Sequence, residues 1–303
     1  MDFNILFFIQ KIGEPLIPIM KFVSLLGYGE LYIVLVAFLY WSINYKSAIR
    51  VGFTLFLGTQ INMASKLTLK SPRPYWLDSS ISAHGAEDSF GMPSGHAQGS
   101  MLFWGQFAYT AKKNWFYIVT AVIIFLTGVS RVILGVHFPS QVVVGWLLGF
   151  FTIVTTNYFE KPFIRWFSKK RLISQLALIL IFSSISIIYI GVLSYIQEPW
   201  SIPDNWINCS ASLRDSFIGL IQVSGMLFGF ISGAILLKRY FTFNSDGTIF
   251  KRGLRFLGGL IVIFSIWYGL KFDSYILQYL RSLLFGFSIS FLWPWICIRI
   301  KLS

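Results

Sequence analysis

The sequence predicts an all-α, polytopic integral membrane protein: a helical bundle of about nine transmembrane helices. Three observations carry this reading. Of 303 residues, 55% are hydrophobic and only 12% are charged, against roughly 25% charged in soluble domains, and mean hydropathy is +0.68. Apolar stretches of about 20 residues, long enough to span a bilayer, recur along the chain. The basic residues gather on one side of those stretches. With 31 Phe and 11 Trp, the chain carries more apolar surface than a soluble fold of this size can hide. A cytosolic globular enzyme, a disordered chain, a coiled coil and a disulfide-rich scaffold are excluded.

In chain order, residues 3–21 are apolar but interrupted by Lys11, Glu14 and two prolines, so they read as an interfacial helix rather than a span or a cleavable signal peptide. Spans are expected near 28–43, 50–66, 93–111, 115–134, 138–157, 172–195, 215–237, 254–271 and 276–297. The loops after the first, third, fifth, seventh and ninth spans hold 16 basic residues, including Lys161, Arg165 and Lys169–Arg171, against only Glu160 and Asp246. The rest of the chain shares 9 basic and 10 acidic residues. By the positive-inside rule, the N-terminus lies outside and the C-terminus in the cytoplasm of an inner or plasma membrane. The net charge of +13 then reads as basic loops facing an anionic leaflet, with no nucleic-acid partner.

No soluble domain is evident. The longer loops, 67–92 and 196–214, fall outside. The cytoplasmic stretch 158–172 is the best seam, separating a motif-bearing membrane core (1–160) from accessory helices (161–303) whose role no motif indicates. Cys209 and Cys297 fall on opposite sides of the membrane in this topology, so both are expected to be free thiols.

Ionisable groups near a membrane are costly and mark function. Three clusters stand out, all expected at the outer face. Lys66 is followed seven residues later by Arg73 and Pro74. Pro93-Ser94-Gly95-His96 opens the third span. Ser130-Arg131 is followed by His137 and Gln141 between the fourth and fifth spans. This is an inventory for phosphate: lysine as a point charge, arginine as a bidentate fork, and a helix start whose free N–H groups favour an anion. Two histidines add proton and phosphoryl transfer near neutral pH, and either can be the nucleophile on this reading. With no Asp/Glu cluster to hold Mg²⁺ and no other cofactor indicated, cationic side chains are expected to meet the transition-state charge.

Taken together, these motifs resemble the type 2 phosphatidic acid phosphatase (PAP2) superfamily, whose signature is Lys-x6-Arg-Pro, then Pro-Ser-Gly-His, then Ser-Arg-x5-His-x3-Asp. All three parts occur in order from Lys66 to Gln141. The resemblance implies a PAP2-type helical core. It implies that His137 attacks phosphorus, that His96 protonates the leaving oxygen and then activates water, and that Lys66, Arg73, Ser94, Gly95 and Arg131 hold the phosphate. The family's final Asp is Gln141 here. Glutamine still accepts the imidazole N–H but does not offset an imidazolium charge, and the glucose-6-phosphatase and dolichyl diphosphatase branches are similar in having it.

The implied function is a metal-independent phosphatase acting on a lipid phosphate or pyrophosphate, such as undecaprenyl pyrophosphate, at the extracytoplasmic face. Its implied partner is a membrane lipid substrate; the oligomeric state is not indicated. Alternatives are a lipid phosphotransferase with the same phosphohistidine, and a non-catalytic lipid or phosphate transporter. Vanadium haloperoxidases share the signature, but they are soluble. Outside the signature, Lys70, His84, Glu87 and Asp88 read as solvated loop residues, and Arg281 as a helix-end anchor.

Overall fold

A computed structural model describes residues 2–85, 87–197, 200–207 and 209–303. Eleven helices follow one another, with no strand among the described residues: α1 (Phe3–Leu25), α2 (Gly29–Ile43), α3 (Tyr45–Leu69), the short α4 (Pro74–Leu77), α5 (95–111), α6 (Asn114–Ile133), α7 (Pro139–Phe167), α8 (Leu172–Ile196), α9 (Ser212–Tyr240), α10 (Ile249–Gly269) and α11 (Tyr275–Arg299). Local signals set several boundaries. Ser94 caps α5 by accepting from the Ala97 N–H at 3.5 Å, and Thr248 caps α10 by accepting from the Lys251 N–H at 3.3 Å. Such caps satisfy N–H groups that the first turn leaves free. After α6, Gly135 takes φ +72°, which turns the chain toward α7.

A helix lies at each of the nine expected spans, but the count of nine is not fixed by hydropathy. Among the described residues, six helices are long and apolar enough to cross a membrane. One of them is α1, which the sequence suggested would lie at the interface: it continues through Pro15 and Pro18, each placed at the start of a helical segment, where a proline removes no helix hydrogen bond. Four expected spans fall short of that standard. Helix α2 is short. The other three carry polar residues: Gln60, Asn62 and Lys66 in α3, His96, Gln98 and Gln106 in α5, and Lys251, Arg252 and Arg255 in α10.

Large apolar side chains face outward along these helices; Ile249 is 89% exposed and Ile276 73%. Water does not tolerate such a surface and lipid requires it. The protein is a multi-pass membrane protein.

The chain forms two compact units. The first comprises 1–32, 58–154 and 188–219. Its core joins α1, α5, α6 and α7 through Leu6, Ala97, Val132, Phe138 and Val142. A second cluster, Trp76, Phe90 and Cys209 with Trp200 and Trp206, ties the loop before α5 to the loop before α9.

The second unit comprises 33–57, 155–187 and 220–303. Here α9 and α11 touch backbone to backbone: a Cβ on Gly225 would stand 2.5 Å from the Tyr279 carbonyl oxygen. Small residues allow such closeness where lipid provides no hydrophobic drive between helices. Tyr40 and Trp41 of α2 donate to the Ser290 and Ile289 carbonyls at 2.9 and 2.8 Å. Arg255 is fully buried and donates to four carbonyls, those of Asn244, Ser245, Asp246 and Leu302, fastening the α9–α10 loop and the C-terminal tail to α10. Cys209 and Cys297 are both free and buried. Arg281 donates to the Leu270 carbonyl and lies over the Trp267 ring, 4.5 Å from its centroid.

Candidate active site

All three motifs converge within the first unit. Lys66 lies in the last turn of α3, Arg73 just before α4, Ser94–His96 at the start of α5 and Arg131 in the last turn of α6. His137 lies in the 134–138 link and Gln141 in the first turn of α7. Every one of these side chains is buried, Arg73 and His137 completely. Three buried cations in one place demand anionic or strongly accepting partners.

The His137 ring is fixed from one side. Gln141 Oε1 lies 3.0 Å from His137 Nδ1 and also accepts from the Phe138 N–H at 3.2 Å. Gln141 Nε2 donates to the Pro72 carbonyl at 2.8 Å and to Ser71 Oγ at 3.2 Å. The amide can face only one way, because its nitrogen has two acceptors and its oxygen a backbone donor. The oxygen therefore faces His137, so Nδ1 carries the proton and Nε2 presents its lone pair. Nε2 points to Arg73 Nη1, 3.1 Å away. Burial first, then the neighbouring Arg73 guanidinium, push this imidazole well below its usual titration range. It stays neutral.

The opposite wall is the start of α5. The Ser94 N–H donates to the Gln141 carbonyl at 3.0 Å, so the phosphate-type loop is tied to the helix that orients His137. Asn62, one helical turn before Lys66, donates from Nδ2 to the Pro93 carbonyl at 3.3 Å and to Gln98 Oε1 at 2.8 Å. Gly145 of α7 lies against Ser94, where a Cβ would come within 2.7 Å of the Ser94 carbonyl oxygen. Around Gly95 there is room, with only Asn62 Oδ1 near its Cβ position, at 3.8 Å. His96 Nε2 is buried with no hydrogen-bond partner among the described residues, and Tyr28 packs edge-on to its ring. Arg131 Nη1 donates to Ser24 Oγ of α1 at 2.5 Å.

Two residues the sequence reading left out belong here. Glu87, taken for a solvated loop residue, turns inward. Its Oε2 pairs with Arg73 Nη2 at 2.7 Å, its Oε1 pairs with Arg131 Nη2, and Oε1 lies 3.6 Å from His96 Nδ1. Burial opposes its ionisation, but the Arg73 and Arg131 guanidinium groups outweigh burial and hold the carboxyl well below the usual range. Ser89 Oγ accepts from Lys66 Nζ at 2.7 Å, and the Ser89 carbonyl accepts from Arg73 Nε at 2.7 Å. Glu87 and Ser89 both lie in an irregular loop, where no periodic pattern in the sequence marks an inward-facing side chain. Lys70 lies over the Trp200 ring, 5.2 Å from its centroid.

This pocket of three cations, two histidines and a capped helix start lies inside a recognised family segment. Residues 47–165 match the PAP2 superfamily, and residues 221–303 match its phosphatase transmembrane extension. The chain carries a PAP2 superfamily domain and a PAP2 transmembrane extension. Every candidate site residue falls in the first match, and most of the C-terminal helices, which carry no motif of their own, fall in the second. The chain is 34% identical over 92 residues to phosphatidylglycerophosphatase B of Bacillus subtilis, covering 27% of this chain and 45% of the relative. It is 29% identical over 139 residues to undecaprenyl-diphosphatase of Sulfolobus acidocaldarius, covering 43% and 64%. It is 21% identical over 230 residues to glucose-6-phosphatase catalytic subunit 1 of Haplochromis nubilus, covering 63% of each. The matches thus span about half to two thirds of these relatives. No solved structure matches the chain.

Proposed function

We infer that this PAP2 protein is a metal-independent phosphatase acting on a lipid phosphate or pyrophosphate through a phosphohistidine. The observation that carries the reading is the His137 ring, locked by Gln141 so that Nε2 offers a lone pair beside Arg73. In the first step Nε2 attacks phosphorus, a P–N bond forms and the ester P–O bond breaks. The departing oxygen takes its proton from His96, whose buried Nε2 has no other claim on it. In the second step His96 takes a proton from water, the water oxygen bonds to phosphorus, and the P–N electrons return to His137. Lys66, Arg73 and Arg131 meet the charge on the equatorial oxygens, with Ser94 and the Gly95 N–H completing the cage. Residues 1–160 would supply this chemistry and 161–303 would be accessory.

The distribution of basic loops supports placing the site at the extracytoplasmic face, within reach of a lipid head group. The names of the relatives suggest phosphatidylglycerol phosphate and undecaprenyl pyrophosphate as first candidates, with glucose 6-phosphate as the soluble comparison. The test is phosphate release by detergent-purified protein in EDTA from these three, phosphatidate and lipid A, beside His137→Ala. Release from one lipid, abolished in the variant, is expected. Release that survives His137→Ala, or that requires added metal, overturns the reading.

A further inference from the structure

Each cation of the cage already has an acceptor in one short segment, residues 87–89. Glu87 spans Arg73 and Arg131 with its two carboxylate oxygens, and its Oε2 lies 4.0 Å from His137 Nε2. Ser89 takes Lys66 with its hydroxyl and Arg73 Nε with its carbonyl. Two carboxylate oxygens on two guanidinium forks present the same acceptor pattern as two oxygens of a phosphate. The segment is held from behind by Tyr75, whose hydroxyl donates to the Glu87 carbonyl at 2.9 Å and accepts from the Glu87 N–H at 3.1 Å. The Glu87 side chain still keeps 25% of its surface exposed, so the strap lies at the mouth of the site rather than in its floor.

We propose that the Glu87 carboxylate is an internal ligand of the phosphate seat, which an incoming phosphate must displace, and that it sets a threshold which a terminal phosphate passes and a phosphodiester does not. The proposal rests on the phosphatase reading. A terminal phosphate dianion brings two charges and three free oxygens to Lys66, Arg73 and Arg131, and so outcompetes a single carboxylate. A phosphodiester brings one charge and two free oxygens. That matches what Glu87 already supplies, so it gains little by entering. In a bilayer the ordinary phospholipids are phosphodiesters at very high local concentration, and an unguarded cluster of three cations would hold them. Glu87 thus acts as a threshold: the abundant solvent lipid does not displace it, and the rarer lipid with a terminal phosphate does.

The experiment compares full-length wild-type protein with Glu87→Gln in detergent, titrating inorganic phosphate and dimethyl phosphate and reading affinity from thermal unfolding. A seat that is open a tenth of the time weakens apparent affinity about tenfold. Glu87→Gln is therefore expected to bind phosphate about tenfold or more tighter, and to bind dimethyl phosphate where the wild type does not. The direction of the shift is the deciding readout: removing an internal competitor tightens both anions by the same factor, whereas a purely structural role would weaken both. Should the glutamine variant fail to fold, Tyr75→Phe keeps the charge but loosens the strap, and is expected to shift both affinities in the same direction by less. Affinities that stay the same or weaken in whichever variant folds overturn the proposal while leaving the phosphatase reading standing. If no variant and no wild-type protein binds either anion, the seat is not an anion site and both readings fall together.

Discussion

Gln141 shows how much chemistry one uncharged side chain can organise. It orients His137, accepts from the Phe138 N–H, and is itself fixed by Ser71 and Pro72. Gln141→Ala frees the tautomer, and kcat is expected to fall on the order of 10²–10⁴-fold. Gln141→Glu would instead stabilise the imidazolium. His137 would then become protonated at higher pH, and the acidic limb of the kcat/KM profile should move to higher pH; a stationary limb would show that Gln141 does not govern His137. The same ring predicts a stability profile. His137 is held neutral in the fold, below its ordinary pKa of about 6.5. As pH falls below that value the unfolded chain takes up a proton that the native protein does not, so stability is full above about 6.5 and declines beneath it. Glu87, depressed below about 4.3, adds a further loss at lower pH. The unfolding temperature measured from pH 8 to pH 4 should fall in that order, and His137→Gln should flatten the first part.

Among the elements, the site depends on how closely α5 and α7 approach. Gly145→Ala places a methyl group 2.7 Å from the Ser94 carbonyl oxygen. The Ser94–His96 turn must shift, and a displacement near 1 Å is enough to cost about 10²-fold in rate. Phosphate release should drop on that order while thermal stability changes little; wild-type turnover would show that the contact relaxes elsewhere. In the second unit, Arg255→Met leaves four carbonyls without the guanidinium donor, Ser245 in a buried bond and the other three in part-buried ones. A loss of about 2–4 kcal/mol is expected in chemical unfolding. A loss under about 0.5 kcal/mol would mean that water or neighbouring groups replace the guanidinium.

For the whole molecule, the proposed orientation follows from 16 basic residues on one set of loops. Single cysteines test it, because Cys209 and Cys297 are buried and give little background. A membrane-impermeant maleimide should label Ser201→Cys in intact cells and Ser168→Cys only after lysis, both positions being exposed in the fold. The reverse pattern would put the candidate site in the cytoplasm, and with it the substrate's head group.

The sequence by itself determined the class and pointed to the residues that the fold gathers. Composition required a membrane, apolar stretches of span length required helices, and the ordered spacing from Lys66 to Gln141 pointed to the candidate site, because His137 and Gln141 are neighbours on one turn and Ser94 caps its own helix. Those relations are local, so the chain alone records them. The number of true spans was not legible, because α3, α5 and α10 carry polar residues that lower the very signal used to count them. Glu87 was not legible either. Its meeting with Arg131, 44 residues away, is set by how the 67–92 loop folds back over three helix ends, and no periodic pattern in an irregular loop encodes that. The same holds for Ser24 on Arg131 and Asn62 beneath Pro93. Only the tertiary structure decides which long-range partner fills a buried charge, since burial makes some partner obligatory without saying which one the packing will bring.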